Sequence, residues 1–411
     1  MNLDAYLLDW LSLLLRWSHF VVGIAWIGSS FYFIWLDARL HRPPVDPEDD
    51  GVDGDLWSVH GGGFYHAQKY QVAPPRLPET LHWFKWEAYS TWLTGFALLV
   101  VTYYLNAGLY LVDPEINPMS PGAAVSWSLL LLLAGWLAYD LLCRSPLGDA
   151  GIAAVGLLLL AGLAFGLSQL FSGRGAFMQM GAMLGTIMAA NVLMVIIPGQ
   201  RKMVDALSRG ETPDPGPGLR GKQRSVHNNY LTLPVLFVML SSHYPMTYTH
   251  RWNWLVLLLL FLAGALVRHF FNLRNSGRSR PGLLLAALLV VLGLGAAMAP
   301  RVQHMPSGVS ESPGQGVSTA VIQAIVNDRC RTCHSAAPTH PTSPVAPKGV
   351  RLDTISDINQ WADQIHQTTV VTRFMPLANL TTITEEERNL IAVWYASRPI
   401  EEASTTPDGN H

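Results

Sequence analysis

Apolar residues in this chain gather into runs of about 20 or more positions, the length a helix needs to cross the hydrocarbon core of a bilayer. Such runs recur along the first 300 residues. They predict eight spans, at 10–36, 86–107, 123–142, 151–171, 177–198, 229–246, 254–272 and 282–299. Three polar stretches stand apart from them. The first, 37–85, mixes an acidic run from Asp46 to Asp55 with His60-Gly-Gly-Gly-Phe-Tyr-His66 and Lys69. A long loop of that glycine, aromatic and histidine content reads as functional. The second, 199–225, carries the Pro/Gly run from Pro213 to Gly218 and reads as a mobile loop. The third, 300–318, is rich in Pro, Gly and Ser and reads as a flexible linker. Beyond it the pattern changes scale. Val317 to Val326 predicts an amphipathic helix, and Thr384 to Ala396 another, opened by a capping box of Thr384 with Glu387. The predicted class is all-α: a transmembrane bundle over 1–299, a linker over 300–318, a small domain over 319–399 and a disordered tail over 400–411.

Composition agrees with the bundle, since half of the residues are hydrophobic and only 14% are charged. Positive charge sets its direction. With the N-terminus outside, the inner loops carry Arg39, Arg42, Lys69, Arg76, Lys85, Arg144 and the Lys and Arg residues of 201–224 and 274–280. The outer loops then carry only Arg174 and Arg251. An even span count returns the C-terminus to the outside. The first span does not read as a cleaved signal peptide: Asp4 and Asp9 precede it, no Lys or Arg comes before Arg16, and it is too long. A net charge of −2 offers no basic field for nucleic acid, and three cysteines make no disulfide framework.

Two of those cysteines are the most specific signal in the chain. Cys330-Arg-Thr-Cys333-His334 has the spacing of a c-type haem attachment site: two thiols for thioether bonds and an adjacent histidine for the iron. A zinc site would need further ligands at suitable spacing, and the remaining cysteine is Cys143. Phe374-Met375-Pro376, with Met375 lying 41 residues beyond His334, supplies the methionine that serves as sixth ligand in electron carriers. Residues 319–399 therefore resemble a small class I cytochrome c, and bacteria attach such haem on the outer side, where the charge pattern puts this domain.

Ionisable residues within spans are costly and point to function. Near the inner ends lie His82, Lys85, Glu87, His227 with Asn228 and Asn229, and Arg268 with His269. Toward the outside lie His19, in the first span, and His243, in the sixth. For any one of them a snorkelling or packing role is an equal reading. Two tiers together suggest a polar pocket opening inward and an outer site for a second metal or haem.

Several segments carry a family resemblance. Arg16-Trp17-Ser18-His19, Trp26-Ile27-Gly28, His60-Gly-Gly-Gly-Phe-Tyr65, Leu81-His82-Trp83-Phe84-Lys85-Trp86-Glu87, Ser225-Val226-His227-Asn228-Asn229-Tyr230 and Val267-Arg268-His269-Phe270-Phe271 resemble the bacterial membrane-bound urate hydroxylases, the PuuD family. The likeness runs over nearly the whole chain, cytochrome included. It implies purine catabolism at the bacterial inner membrane: urate is oxidised to 5-hydroxyisourate with oxygen from water, and electrons pass to the fused haem c and on to a downstream cytochrome c or terminal oxidase.

Urate at neutral pH is a planar anion edged with carbonyl and N–H groups. Arg268, Lys85, Lys69, Asn228 and Asn229 are the candidates to bind it. His82 and His227 are candidate proton acceptors, with Glu87 as proton partner or orienting group. No GxGxxG turn signals a flavin or nicotinamide. Pocket and cytochrome would stand on opposite faces of a core roughly 30 Å thick, so an intermediate carrier is needed unless the pocket reaches deep into the bundle. A b-type haem held by His19 and His243 would serve. The competing reading is a non-catalytic, haem-bearing membrane subunit that relays electrons within a respiratory complex.

Overall fold

The computed structural model describes residues 3–41, 51–70, 72–299, 317–340 and 345–398. The predicted linker up to Gly316 and the predicted tail fall outside them. The chain divides into two units, a large one over Leu7–Met298 and a smaller one that contains Ala299–His411.

The first part of the chain begins with helix α1 (Leu3–Arg39), a hairpin of strands β1 (Val52–His60) and β2 (Gly63–Tyr70), helix α2 (Trp86–Leu99), a π-helical turn at Val100–Tyr104 and the short α3 (Ala107–Tyr110). Then come α4 (Pro121–Arg144), α5 (Asp149–Leu170) and α6 (Gly173–Ala190), which continues through a π-helical turn at Asn191–Ile196 into α7 (Ile197–Ser208). Helices α8 (Gly216–Ser241), α9 (Pro245–Tyr248), α10 (Asn253–Asn275) and α11 (Gly282–Ala297) complete it.

Five of these stretches, α1, α4, α5, the continuous α6–α7 and α10, are long and apolar enough to cross a membrane. The chain is an all-α membrane protein. The other three predicted spans are helical too, on α2, α8 and α11, but each departs from a plain apolar rod. A π-helical turn follows α2, α11 has 16 residues, and α8 buries Arg224, Asn228, Asn229 and Thr232.

Two stretches differ from their predicted form. Segment 199–225 is mostly helix, because α7 runs on to Ser208 and α8 begins at Gly216. Its polar residues imitate a loop in sequence, but some of them are buried against polar partners on other helices. The 37–85 segment contains a β-hairpin. Gly61 and Gly62, at φ of 57° and 81°, make its two-residue turn, and His60 pairs with Gly63 across it.

Helix α6 is the core of the bundle, with Phe177, Met180 and Met183 almost completely buried. Ser172 caps it by accepting from Gly175 N at 3.0 Å, and Ser120 caps α4 by accepting from Ala123 N at 3.2 Å. Gly181 of α6 lies so close to Val238 of α8 that a side chain could not fit without displacement. Helix α8 is thereby held between α6 on one side and α10 on the other. The first span is peripheral. Trp17, Phe20 and Ile24 of α1 are exposed, as side chains facing lipid would be.

The smaller unit consists of α12 (Thr319–Arg329), the Cys330–His334 turn, α13 (Ile355–Gln360), α14 (Ala362–Ile365), a π-helical turn at His366–Val371 and α15 (Glu385–Ala396). Ile322, Val326, Ile358, Ala362 and Ile391 are fully buried in its core. Capping boxes open α15, from Thr384 and Glu387, and α13, from Thr354 and Asp357. Arg329 on α12 donates to Glu387 at 3.0 Å and to Thr381 O at 2.7 Å, which ties the two long helices together.

Candidate functional site

Helix α8 presents consecutive polar residues in two directions, because neighbouring positions on a helix are about 100° apart. Toward α10, the Oδ1 of Asn229 accepts from Arg268 Nε at 2.8 Å and from Asn272 Nδ2 at 3.0 Å. The Arg268 guanidinium also stacks 3.8 Å from the ring centre of Phe31 on α1. Arg268 and Asn229 are buried, at 5% and 0% exposure. Yet Arg268 Nη2, Asn229 Nδ2 and Asn272 Oδ1 have no hydrogen-bond partner among the described residues. Buried polar groups are nearly always satisfied, so two free donors and a free acceptor in one contact group form an unfilled polar set.

Toward α4 and α6, a chain of hydrogen bonds runs through the bundle. Asn228 Nδ2 donates to the Met188 carbonyl at 3.0 Å. Asn191 Nδ2 donates to Asn228 Oδ1 at 2.8 Å and to the Tyr139 hydroxyl at 3.1 Å. That hydroxyl lies 2.8 Å from His227 Nδ1, and Cys143 Sγ lies 3.8 Å from the same nitrogen. One turn back on α8, Arg224 donates to Asp140 Oδ1 at 2.8 Å and sits 4.9 Å from the Tyr139 ring centre. Asp140 accepts from Arg144 as well, at 2.7 Å.

Arg268, Asn228, Asn229 and His227 therefore belong to these networks. The remaining inner-tier candidates stand differently. Lys69, on β2, pairs with Asp37 of α1, which also accepts from Lys222 of α8 at 3.0 Å. His82 is exposed ahead of α2 with its ring 4.6 Å from Phe84, edge to face. Lys85 is the N-cap of α2 with its ammonium 6.0 Å from the Trp86 ring, and Glu87 is half-buried in the first turn.

In the outer tier, His19 Nδ1 lies 3.0 Å from Thr94 Oγ1 and 3.1 Å from Thr91 O. The ring is seated on Gly95, where a Cβ would approach it to 2.8 Å. His243 is exposed in the turn after α8. No hydrogen bond or ring contact among the described residues links the two histidines.

Sequence reading missed Tyr139, Asp140, Cys143, Asn191 and Asn272. Asn272 had a signal, since it follows Arg268 by one helical turn and shares its face. Tyr139 and Asp140 interrupt an apolar run and could have been singled out on that ground.

In the smaller unit, the backbone N–H groups of Cys333 and His334 both donate to Cys330 O, at 3.2 and 2.9 Å. That turn sets the two cysteines and the histidine at the end of α12. His334 Nδ1 lies 3.1 Å from the Val350 carbonyl, an acceptor only, so Nδ1 carries the hydrogen and Nε2 is left to bind a metal. Burial holds the imidazole below its ordinary pKa, against the opposing pull of that hydrogen bond, and so keeps it in the neutral form a metal requires. Met375 is held by its backbone: its N–H donates to Thr368 O at 2.9 Å, and its carbonyl accepts from the buried Arg388 at 2.9 Å. No disulfide joins any of the three cysteines. This donor set fits a covalently attached haem.

The arrangement defines an all-α membrane protein whose central helix carries buried, incompletely partnered polar groups, with a small helical unit bearing a CxxCH turn. Residues 5–299 match the urate oxidase N-terminal family, and the chain belongs to that family. No curated protein and no solved structure gives a significant match.

Proposed function

We propose that this protein is a membrane-bound urate hydroxylase that oxidises urate to 5-hydroxyisourate. Family membership supports urate as substrate. The observation that carries the site is the unfilled polar set of Arg268 Nη2, Asn229 Nδ2 and Asn272 Oδ1. Two donors and an acceptor suit the carbonyl and N–H edge of a planar purine anion, and burial excludes the water that would compete for them. Arg268 is restrained by Asn229 and Phe31, so its planar fork is oriented before substrate arrives.

In the overall reaction one water supplies a hydroxyl to the fifth carbon of urate. A C–O bond forms, and the purine gives up two electrons and two protons. A haem joined to Cys330 and Cys333 and ligated by His334 and Met375 would supply, when bound, a one-electron acceptor that links the chain to a downstream cytochrome c or terminal oxidase. This reading sets the protein in a bacterial inner membrane, with the N-terminus and the small unit on the periplasmic side.

The test is to add urate anaerobically to purified, haem-loaded protein, following the haem c absorption band and product formation. Reduction of the band with loss of urate is expected. If urate is neither bound nor consumed while a partner dehydrogenase reduces the haem, the chain is an electron-relay subunit instead.

A further inference from the structure

We infer that Tyr139 and Asn191 are positioning residues that lock His227 in the Nε2–H tautomer, so that the outer ring nitrogen of this histidine is a hydrogen-bond donor and not a base. A backbone carbonyl can only accept a hydrogen bond. Met188 O takes a hydrogen from Asn228 Nδ2, and this fixes which end of the Asn228 amide is oxygen. Asn228 Oδ1 then faces Asn191, which must present its NH2 group. The second hydrogen of that group points at the Tyr139 oxygen. The tyrosine oxygen is therefore an acceptor toward Asn191, and its own hydrogen needs another acceptor.

The groups around it narrow the choice. Arg224, beside the ring, can only donate. Thiol sulfur, as in Cys143, is a weak acceptor. His227 Nδ1, at 2.8 Å, is the strong one. Tyr139 O–H thus donates to Nδ1, and the neutral imidazole carries its hydrogen on Nε2, for which no partner is found among the described residues. A single backbone carbonyl on α6 thereby sets the proton position of a side chain on α8, through amides and a phenol that reach across three helices.

What Nε2–H does at the substrate rests on the urate reading; the tautomer itself does not. His227 faces α4 and the Arg268–Asn229–Asn272 set faces α10, so a donor fixed in this way stands outside that set and would not accept the proton released from water.

The test is solid-state 15N NMR of the histidine-labelled full chain in lipid bilayers, without substrate, with the His227 signals assigned from their loss in His227→Gln. The wild type should show Nδ1 unprotonated and Nε2 protonated. Tyr139→Phe keeps the ring and removes the hydroxyl, and should give a mixture of the two tautomers. A wild-type protein with Nδ1 protonated would overturn the inference, since Tyr139 would then be donating to Cys143. Because the tautomer is read without urate, its failure is distinguishable from failure of the proposed activity. Were Tyr139→Phe not to fold, the wild-type spectrum alone would still decide.

Discussion

Arg268 and Asn229 are joined by one hydrogen bond of 2.8 Å, between the arginine Nε and the amide oxygen, while the guanidinium Nη2 and the amide Nδ2 beside it have no partner among the described residues. Structural buried pairs normally use their donors. This one leaves two NH2 groups, beside a contact already made.

Arg268→Lys keeps the charge and loses the fork. The variant should fold, with the smaller unit unaffected, and bind urate more weakly by about 1.5–3 kcal/mol, the range for a hydrogen bond to a charged group. Calorimetry of urate binding measures it. Asn272→Leu should weaken binding less, because it removes one neutral acceptor. Wild-type affinity in both would move the substrate away from α10.

Arg224 and Asp140 make a buried pair, with side chains 4% and 11% exposed. Asp140→Leu leaves the buried Arg224 charge without its carboxylate, so it should destabilise the bundle by roughly 3–5 kcal/mol, while Arg224→Met should cost less because Asp140 keeps Arg144. Arg224→Met with Asp140→Leu should recover much of that loss. Thermal unfolding in detergent, compared across the double-mutant cycle, gives the coupling.

Glu387 makes the smaller unit sensitive to acid. Partial burial would raise its pKa, but hydrogen bonds from Arg329 and from the Thr384 backbone, with the Arg329 charge, outweigh burial and hold it below the ordinary Glu value. A depressed folded-state pKa means that the stabilisation is fully present above the unfolded-state value and is lost as pH falls through the folded-state one. Glu387→Gln should therefore lower the melting temperature of the smaller unit at neutral pH and flatten its decline below about pH 4.3, the unperturbed Glu value. Parallel acid limbs in wild type and variant would show that the Arg329 contact carries no such linkage.

The haem-binding residues make separable predictions. Cys330→Ala with Cys333→Ala should eliminate the c-type pyridine haemochrome and urate-driven electron output while the bundle still binds urate. Met375→Ala should keep haem attached and lower its reduction potential, as expected when a methionine ligand is lost. An unchanged potential and spectrum would exclude Met375 as ligand.

Much of this was legible in the chain itself. Apolar runs located every long helix of the bundle, because hydropathy summed over a turn-rich window is a local property that lipid reads directly. The Thr384–Glu387 capping box was visible for the same reason, since its partners are three residues apart. Local reading failed where polarity was itself buried. The N-terminal half of α8 looks like a loop because hydropathy cannot distinguish Arg224 paired with Asp140 from an arginine in water. In sequence Gly61-Gly62 is only composition; it becomes a turn through the pairing of Val52–His60 with Gly63–Tyr70.

The sequence by itself determined the helical class, the bundle and the identity of the groups that could attach a haem, all of which depend on residues within a few turns of one another. Tertiary structure decided which polar groups are satisfied and which are left open. The partners of Asn229 and His227 lie 39 and 88 residues away along the chain, at Arg268 and Tyr139. No periodicity encodes such a pairing. It exists because helices packed together with little water between them tend to match buried donors to acceptors on other helices, wherever those lie along the chain.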